Sequence, residues 1–117
     1  MAYIYVFPYY LLPKNYKAVI PSTKNTIEVY VIFMGENNPI GYGVIDEKNN
    51  KYSLEHLYID PEYRYQGYGQ QLLKLINKDY KQLNLMVAKT NNIAIHIYKK
   101  LGFKIKSSYS KYYIMEK

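Results

Sequence analysis

The sequence predicts an α+β fold, a mixed and mostly antiparallel sheet of six or seven strands flanked by helices. Three observations predict it: turn-separated apolar runs of strand length in the first half of the chain, two helix-spaced apolar stripes in the second, and a strand–helix–strand order over residues 52–88. A chain of 117 residues suits one domain spanning residues 1–117. Its 49% hydrophobic and 21% charged content is that of a globular protein.

Residues 3–12 are aromatic and β-favouring and predict a first strand. Pro13 and Pro21 then leave room only for a short helix or an irregular segment before Thr26. Residues 27–33 and 40–45 are apolar runs separated by Gly35, Glu36, Asn37, Asn38 and Pro39, which predicts an antiparallel hairpin. A second turn at residues 47–51 leads to a strand over residues 52–59, where simple alternation puts Glu55, Leu57 and Ile59 on one face and turns His56 away from Glu55. Asp60-Pro61 ends that strand.

From Gly69, the spacing of Leu72, Leu73, Ile76 and Tyr80 predicts an amphipathic helix with Gln70, Gln71, Lys74 and Lys78 outermost. Residues 83–88 form the next strand, and the intervening helix requires it to run parallel to residues 52–59. Thr90 or Asn91 can cap a further helix with the stripe Ala94, Ile97, Tyr98 and Leu101, and Gly102 stands where a left-handed cap is wanted. Residues 103–108 and 111–115 predict a closing hairpin.

Composition excludes several functions. The chain has no Cys and only two His, His56 and His96, too few for a disulfide framework or a structural zinc site. His96 lies off the Tyr98 stripe, and neither His is assigned to catalysis. The apolar run 3–12 is broken by Pro8, is shorter than the roughly 20 residues that span a bilayer and has no Lys or Arg ahead of it, which argues against a membrane and points to the cytoplasm. The net charge of +7 comes from scattered Lys residues that read as a solvated surface rather than a nucleic-acid footprint. Of the sixteen basic residues, Arg64 is the single Arg.

That Arg opens the segment Arg64-Tyr65-Gln66-Gly67-Tyr68-Gly69 between a predicted strand and a predicted helix. Glycines there let the backbone approach a ligand, unpaired amides at a helix N-terminus attract phosphate, and a guanidinium suits phosphate through its forked donors. Neither G-x-G-x-x-G nor G-x-x-x-x-G-K-[ST] occurs, so the dinucleotide and mononucleotide loops are set aside. Taken alone, Gly67 and Gly69 would be a tight turn, Arg64 a surface ion pair with Glu62, and Tyr98 a core aromatic.

The segment in its context resembles the hallmark [RQ]-x-x-G-x-[GA] of the GNAT superfamily of acyl-CoA-dependent N-acyltransferases. Upstream, residues 57–63 resemble that family's strand and its exit. Downstream, residues 91–103 resemble its N-x-x-A-x-x-x-Y-x-x-x-G-F segment. The resemblance implies a three-layer fold in which two neighbouring parallel strands splay to admit a thioester. It implies acetyl-CoA as co-substrate, with no metal, and direct transfer of its acetyl group to a primary amine in a ternary complex. The backbone of Leu57, Tyr58 and Ile59 would pair with the pantetheine arm. The loop Arg64, Tyr65, Gln66, Gly67, Tyr68, Gly69 and Gln70 would hold the pyrophosphate, and Asn91 would bond the arm. Tyr98 corresponds to the acid that protonates the departing thiolate. Glu55 matches a carboxylate of some diamine-acetylating members and is the candidate base, since an alkyl ammonium with a pKa near 10.4 must lose a proton before attack; alternatively Glu55 is an ordinary polar residue of a half-exposed strand.

The chain departs from that family in two places. Met86 stands where members that acetylate protein N-termini often carry Glu, which argues against that subgroup. The amino-terminal third is short, so the acceptor site is either open or completed by another subunit of a homodimer. Two other functions fit less of the sequence. A non-catalytic acyl-CoA-binding module would bind the cofactor without turnover, and a basic nucleic-acid-binding domain would stack bases on its 17 Tyr residues.

Overall fold

The computed structural model describes every residue, Met1–Lys117. Turn chemistry at Gly35 to Pro39 and at Asn49-Asn50 folds the first half into a meander of β1 (Ala2–Pro8), β2 (Thr26–Met34), β3 (Pro39–Lys48) and β4 (Lys51–Ile59). Asn37, Asn49 and Asn50 take the positive φ these turns demand, a conformation that Asn tolerates better than most residues. With β5 (Asn84–Ala88), β6 (Lys104–Ser108) and β7 (Tyr112–Glu116), a seven-stranded sheet forms in the order β1-β2-β3-β4-β5-β7-β6. All neighbours are antiparallel except β4 and β5, as the intervening helix α2 (Tyr68–Asp79) requires. No helix is long and apolar enough to cross a membrane.

The sheet is covered on both faces. On one side α2 buries Leu72, Leu73 and Ile76 against Tyr30, Ile32, Ile45, Leu54 and Leu85, and α3 (Asn92–Lys100) adds Ala94, Ile97 and Tyr98 to the rim of that cluster. On the other side Leu12 and Ile20 of the amino-terminal segment pack on Val29, Val31, Phe33 and Val44. Residues 29–33 of β2 are therefore buried without alternation, since both of their faces meet apolar neighbours.

The amino-terminal third corrects the expected strand over residues 3–12. It ends at Pro8, which has no N–H to continue the ladder, and Tyr9–Leu11 close a single 3-10 turn through Leu12 N–H to the Tyr9 carbonyl at 3.1 Å. After Pro13, α1 (Lys14–Lys17) makes one helical turn, and this turn with the flanking residues Leu12 and Ile20 is the cover of this face.

Two irregularities in β4 shape the functional region. Its parallel pairing with β5 consists of Ser53 opposite Asn84 and Leu54 opposite Leu85 and stops there, so the two strands part from Glu55 onward. At the same point the ladder to β3 skips a residue: Ile45 faces Leu54 and Val44 faces His56, with Glu55 left over as a bulge. This corrects the alternation read from the sequence. The inserted residue lets Leu54, Leu57 and Ile59 all pack toward α2, while Glu55 and His56 together oppose the single residue Val44 on the other face. Glu55 therefore shares no face with Leu57 and Ile59, and His56 does not turn away from it.

Candidate active site

Past Leu54, the edge of β4 that would have met β5 has no strand beside it, while its other edge stays bonded to β3 through Ile59. An extended ligand can add to such an edge as a strand would. On the helix side the gap opens into a cavity of about 440 Å³ lined by Leu57, Tyr65, Gly67, Gly69, Gln70, Leu73, Ile93, Ala94, Ile97 and Tyr98. Of the residues expected at a cofactor, it brings together Leu57, Tyr65, Gly67, Gly69, Gln70 and Tyr98. Leu73, Ile93, Ala94 and Ile97 were not among those residues; Leu73, Ala94 and Ile97 belong to the two apolar stripes, which supply cavity wall as well as core, while Ile93 is an exposed residue outside both.

Gly67 is the N-cap of α2 at φ +89°, where a side chain is strained, and a Cβ there would meet no atom within 4 Å. The space above it is left for a ligand. The first helical bond runs from Gln71 N–H to the Gly67 carbonyl, so the amides of Tyr68, Gly69 and Gln70 precede the ladder at the positive end of the helix. A Cβ on Gly69 would lie 3.6 Å from Ile59 Cγ1, which measures how closely this helix end approaches β4. Tyr65 is also left-handed, at φ +63°, and lies 96% exposed at the cavity mouth.

Six expected residues are not in its lining: Tyr58 and Ile59, which lie on the open stretch of β4, and Arg64, Gln66, Tyr68 and Asn91. Arg64 is turned from the cavity: its Nε donates to the Ile59 carbonyl at 2.7 Å and its guanidinium lies 5.4 Å from the centre of the Tyr58 ring. It makes no ion pair with Glu62, since the single ion pair of the chain joins Lys106 and Glu116. Gln66 donates its side-chain amide to the Glu62 carbonyl at 3.1 Å, which closes the loop on itself. Tyr68 packs edge-on against Tyr63. Asn91 accepts from Ala94 N–H at 3.1 Å and so caps α3, the use its position before an apolar stripe foretold.

Tyr98 reaches the cavity from α3, with its ring 5.7 Å from that of Phe103. Burial raises its phenol pKa, so it holds its proton throughout the neutral range. Glu55 lies across the strand pair. It lines a smaller pocket at the end of the β4–β5 pairing with Ser53, Leu54, Asn84, Leu85, Met86 and Ile114; Asn84, Met86 and Ile114 alternate with the core residues Leu85, Val87, Tyr113 and Met115. A held proton on the helix side and an exposed carboxylate on the other thus flank the start of the gap. No group of three or more His, Cys, Asp or Glu side chains is placed to hold a metal ion.

Residues 25–105 match the acetyltransferase (GNAT) domain family. Thialysine N-epsilon-acetyltransferase of Bos taurus is 36% identical over 73 residues, 54% of this chain and 43% of that protein. Spermidine N(1)-acetyltransferase of Thermoplasma acidophilum is 27% identical over 113 residues, 92% of this chain and 70% of that protein. The crystal structure of the PaiA N-acetyltransferase from T. acidophilum in complex with coenzyme A superposes with a TM-score of 0.66 at 30% identity, covering 76% of this chain and 58% of that one. The chain therefore spans less than half of the bovine relative's length. The family match across most of the chain, the motif loop at the head of α2 and the parted parallel strands lead to one conclusion: the protein belongs to the GNAT acetyltransferase family.

Proposed function

We propose that residues 1–117 form a single N-acetyltransferase domain that transfers the acetyl group of acetyl-CoA directly to a primary amine. One observation carries this reading. The gap between β4 and β5 opens at Glu55, between a carboxylate on one face and a protonated phenol on the other.

The residues present fit acetyl-CoA. Open space over Gly67, free amides at the start of α2 and an unpaired strand edge are what a pyrophosphate and an extended amide-bearing arm require. Gly67, Tyr68, Gly69 and Gln70 would hold the pyrophosphate, and the edge of Leu57 to Ile59 the arm. Bound there, acetyl-CoA supplies an activated acyl group. Glu55, directly or through water, takes a proton from the acceptor ammonium and leaves a neutral nitrogen able to attack. A β4 amide beside the bulge polarises the acyl carbonyl, a contribution of about 3–4 kcal/mol at such sites. Tyr98 would donate its proton to the departing sulfur, and the nitrogen's second proton, lost as the amide bond forms, would return through water to the Tyr98 phenolate, while Glu55 gives its proton to solvent. The chain has no Cys to carry an acyl group, which favours direct transfer.

The first test is thermal unfolding with acetyl-CoA, which at 100 times its dissociation constant adds about 2.7 kcal/mol to the folded state. The expected result is a clear rise in Tm that Gly67→Asp abolishes, followed by amine-dependent release of CoA. A rise without any amine-dependent release would instead identify a cofactor-binding module.

A further inference from the structure

A second cavity, of about 340 Å³, lies on the Glu55 face of the sheet, between Tyr16, Val19 and Ile20 of the amino-terminal segment and the ends of β3 and β4. Val31, Pro39, Gly41, Tyr42, Tyr58 and Asp60 complete it. Tyr42 and Tyr58 are cross-strand partners whose rings stack 5.2 Å apart at 26°. Tyr42 is partly buried, and burial, then the neighbouring Tyr58 and Asp60, raises its phenol pKa; Asp60 lines the same cavity as the two rings. The backbone of Asp60 is fixed by its N–H donating to the Ile40 carbonyl at 2.7 Å.

Asp60 is the one carboxylate that lines this cavity, and it differs from the four carboxylates of the chain that have side-chain partners. Glu28 and Asp79 accept from Tyr80 and Tyr30, Asp46 accepts from Thr23 and Thr26, and Glu116 pairs with Lys106. Asp60 has neither a side-chain hydrogen bond nor an ion pair, even though Arg64 stands nearby over Tyr58. A partly buried carboxylate beside two stacked phenol rings is a receptor for an ammonium group, which gains both charge pairing and cation–π attraction there. The Arg64 guanidinium beside Tyr58 is held by its bond to the Ile59 carbonyl, which leaves the Tyr42 ring and the Asp60 carboxylate to meet an ammonium.

Position adds a length. His56 opposes Val44 and Tyr58 opposes Tyr42, so Glu55, His56 and Tyr58 lie along one face of β4. At about 3.3 Å per residue, Tyr58 stands roughly 10 Å from Glu55. We infer that Tyr42, Tyr58 and Asp60 form a subsite for a second ammonium of the acceptor, which selects an extended diamine or polyamine whose charges lie about 10 Å apart. This rests on the amine-transfer reading given above and narrows its substrate class.

The probes are 1,8-diaminooctane and 8-amino-1-octanol, equal in length, with the second ammonium of the first replaced by a hydroxyl in the other. Two readouts are taken on the wild type and on Asp60→Asn: kcat/KM for CoA release, and the rise in Tm caused by each amine. The expected result is a preference of roughly tenfold for the diamine in kcat/KM, with a larger Tm rise, both lost in Asp60→Asn while acetyl-CoA still stabilises the variant. Equal turnover of both probes, unchanged by Asp60→Asn, would overturn the subsite and leave acetyl transfer standing. An Asp60-dependent Tm rise with the diamine but no CoA release would keep the subsite and overturn the transfer. Neither turnover nor a Tm rise with either probe would overturn both.

Discussion

The two halves of β4 have the same strand geometry and opposite roles. Ser53 and Leu54 have a strand on either side, and Leu54 is 6% exposed within the main core. Residues 55–59 keep only β3 beside them, Leu57 lines the cavity, and Glu55, His56 and Tyr58 are exposed. The change happens within one residue, at the bulge. A site can therefore be made from a core strand by removing one neighbour and inserting one residue, with the closed half serving as anchor.

If that division is right, substitutions in the two halves should fail in different ways. The largest effects belong to the open half and the helix residue that faces it: Glu55→Gln in β4 and Tyr98→Phe in α3 should each slow turnover by about 10²- to 10⁴-fold in steady-state assays while the Tm rise with acetyl-CoA persists. Unchanged kcat in either variant would remove that residue from the chemistry. In the closed half, Leu54→Ala should cost about 2–5 kcal/mol in denaturant unfolding, whereas Leu57→Ala should cost roughly 1 kcal/mol and weaken acetyl-CoA binding instead. Equal stability losses would erase the distinction.

The smallest effect concerns pH. Burial, then hydrogen bonds to Asp79 and Glu28, raise the phenol pKa values of Tyr30 and Tyr80 above their ordinary 10.0. The unfolded chain would lose these protons first, so their stabilisation is whole below pH 10 and is lost as pH rises beyond it. Tm should begin to fall as pH rises past about 10, less steeply in Tyr80→Phe.

Much of this was legible in the residues. The spacing of Leu72, Leu73 and Ile76 gave α2, the strand–helix–strand order gave the parallel pair, and the Gly67 and Gly69 spacing gave the loop. Period-two alternation, run unbroken through residues 52–59, gives no place for the bulge. Its signal was there: Leu54 and Leu57 are both apolar and three apart, which a regular strand cannot place on one face. The guanidinium of Arg64 suits phosphate, but the Ile59 carbonyl five residues back takes its Nε–H, a contact that residue type alone does not reveal. The ring pair of Tyr42 and Tyr58 was invisible among 17 Tyr residues because only the strand register brings the two together.

The open edge of β4 has a consequence for the life of the protein outside catalysis. Bare strand edges recruit strands from other chains, and proteins ordinarily blunt them; the outer strand β6 does so with Lys104 and Lys106. The stretch from Leu57 to Ile59 carries no charge and can be capped only by whatever enters the gap. Acetyl-CoA would thus act as a solubility factor as well as a reactant, and chains starved of it during expression would be the first to aggregate.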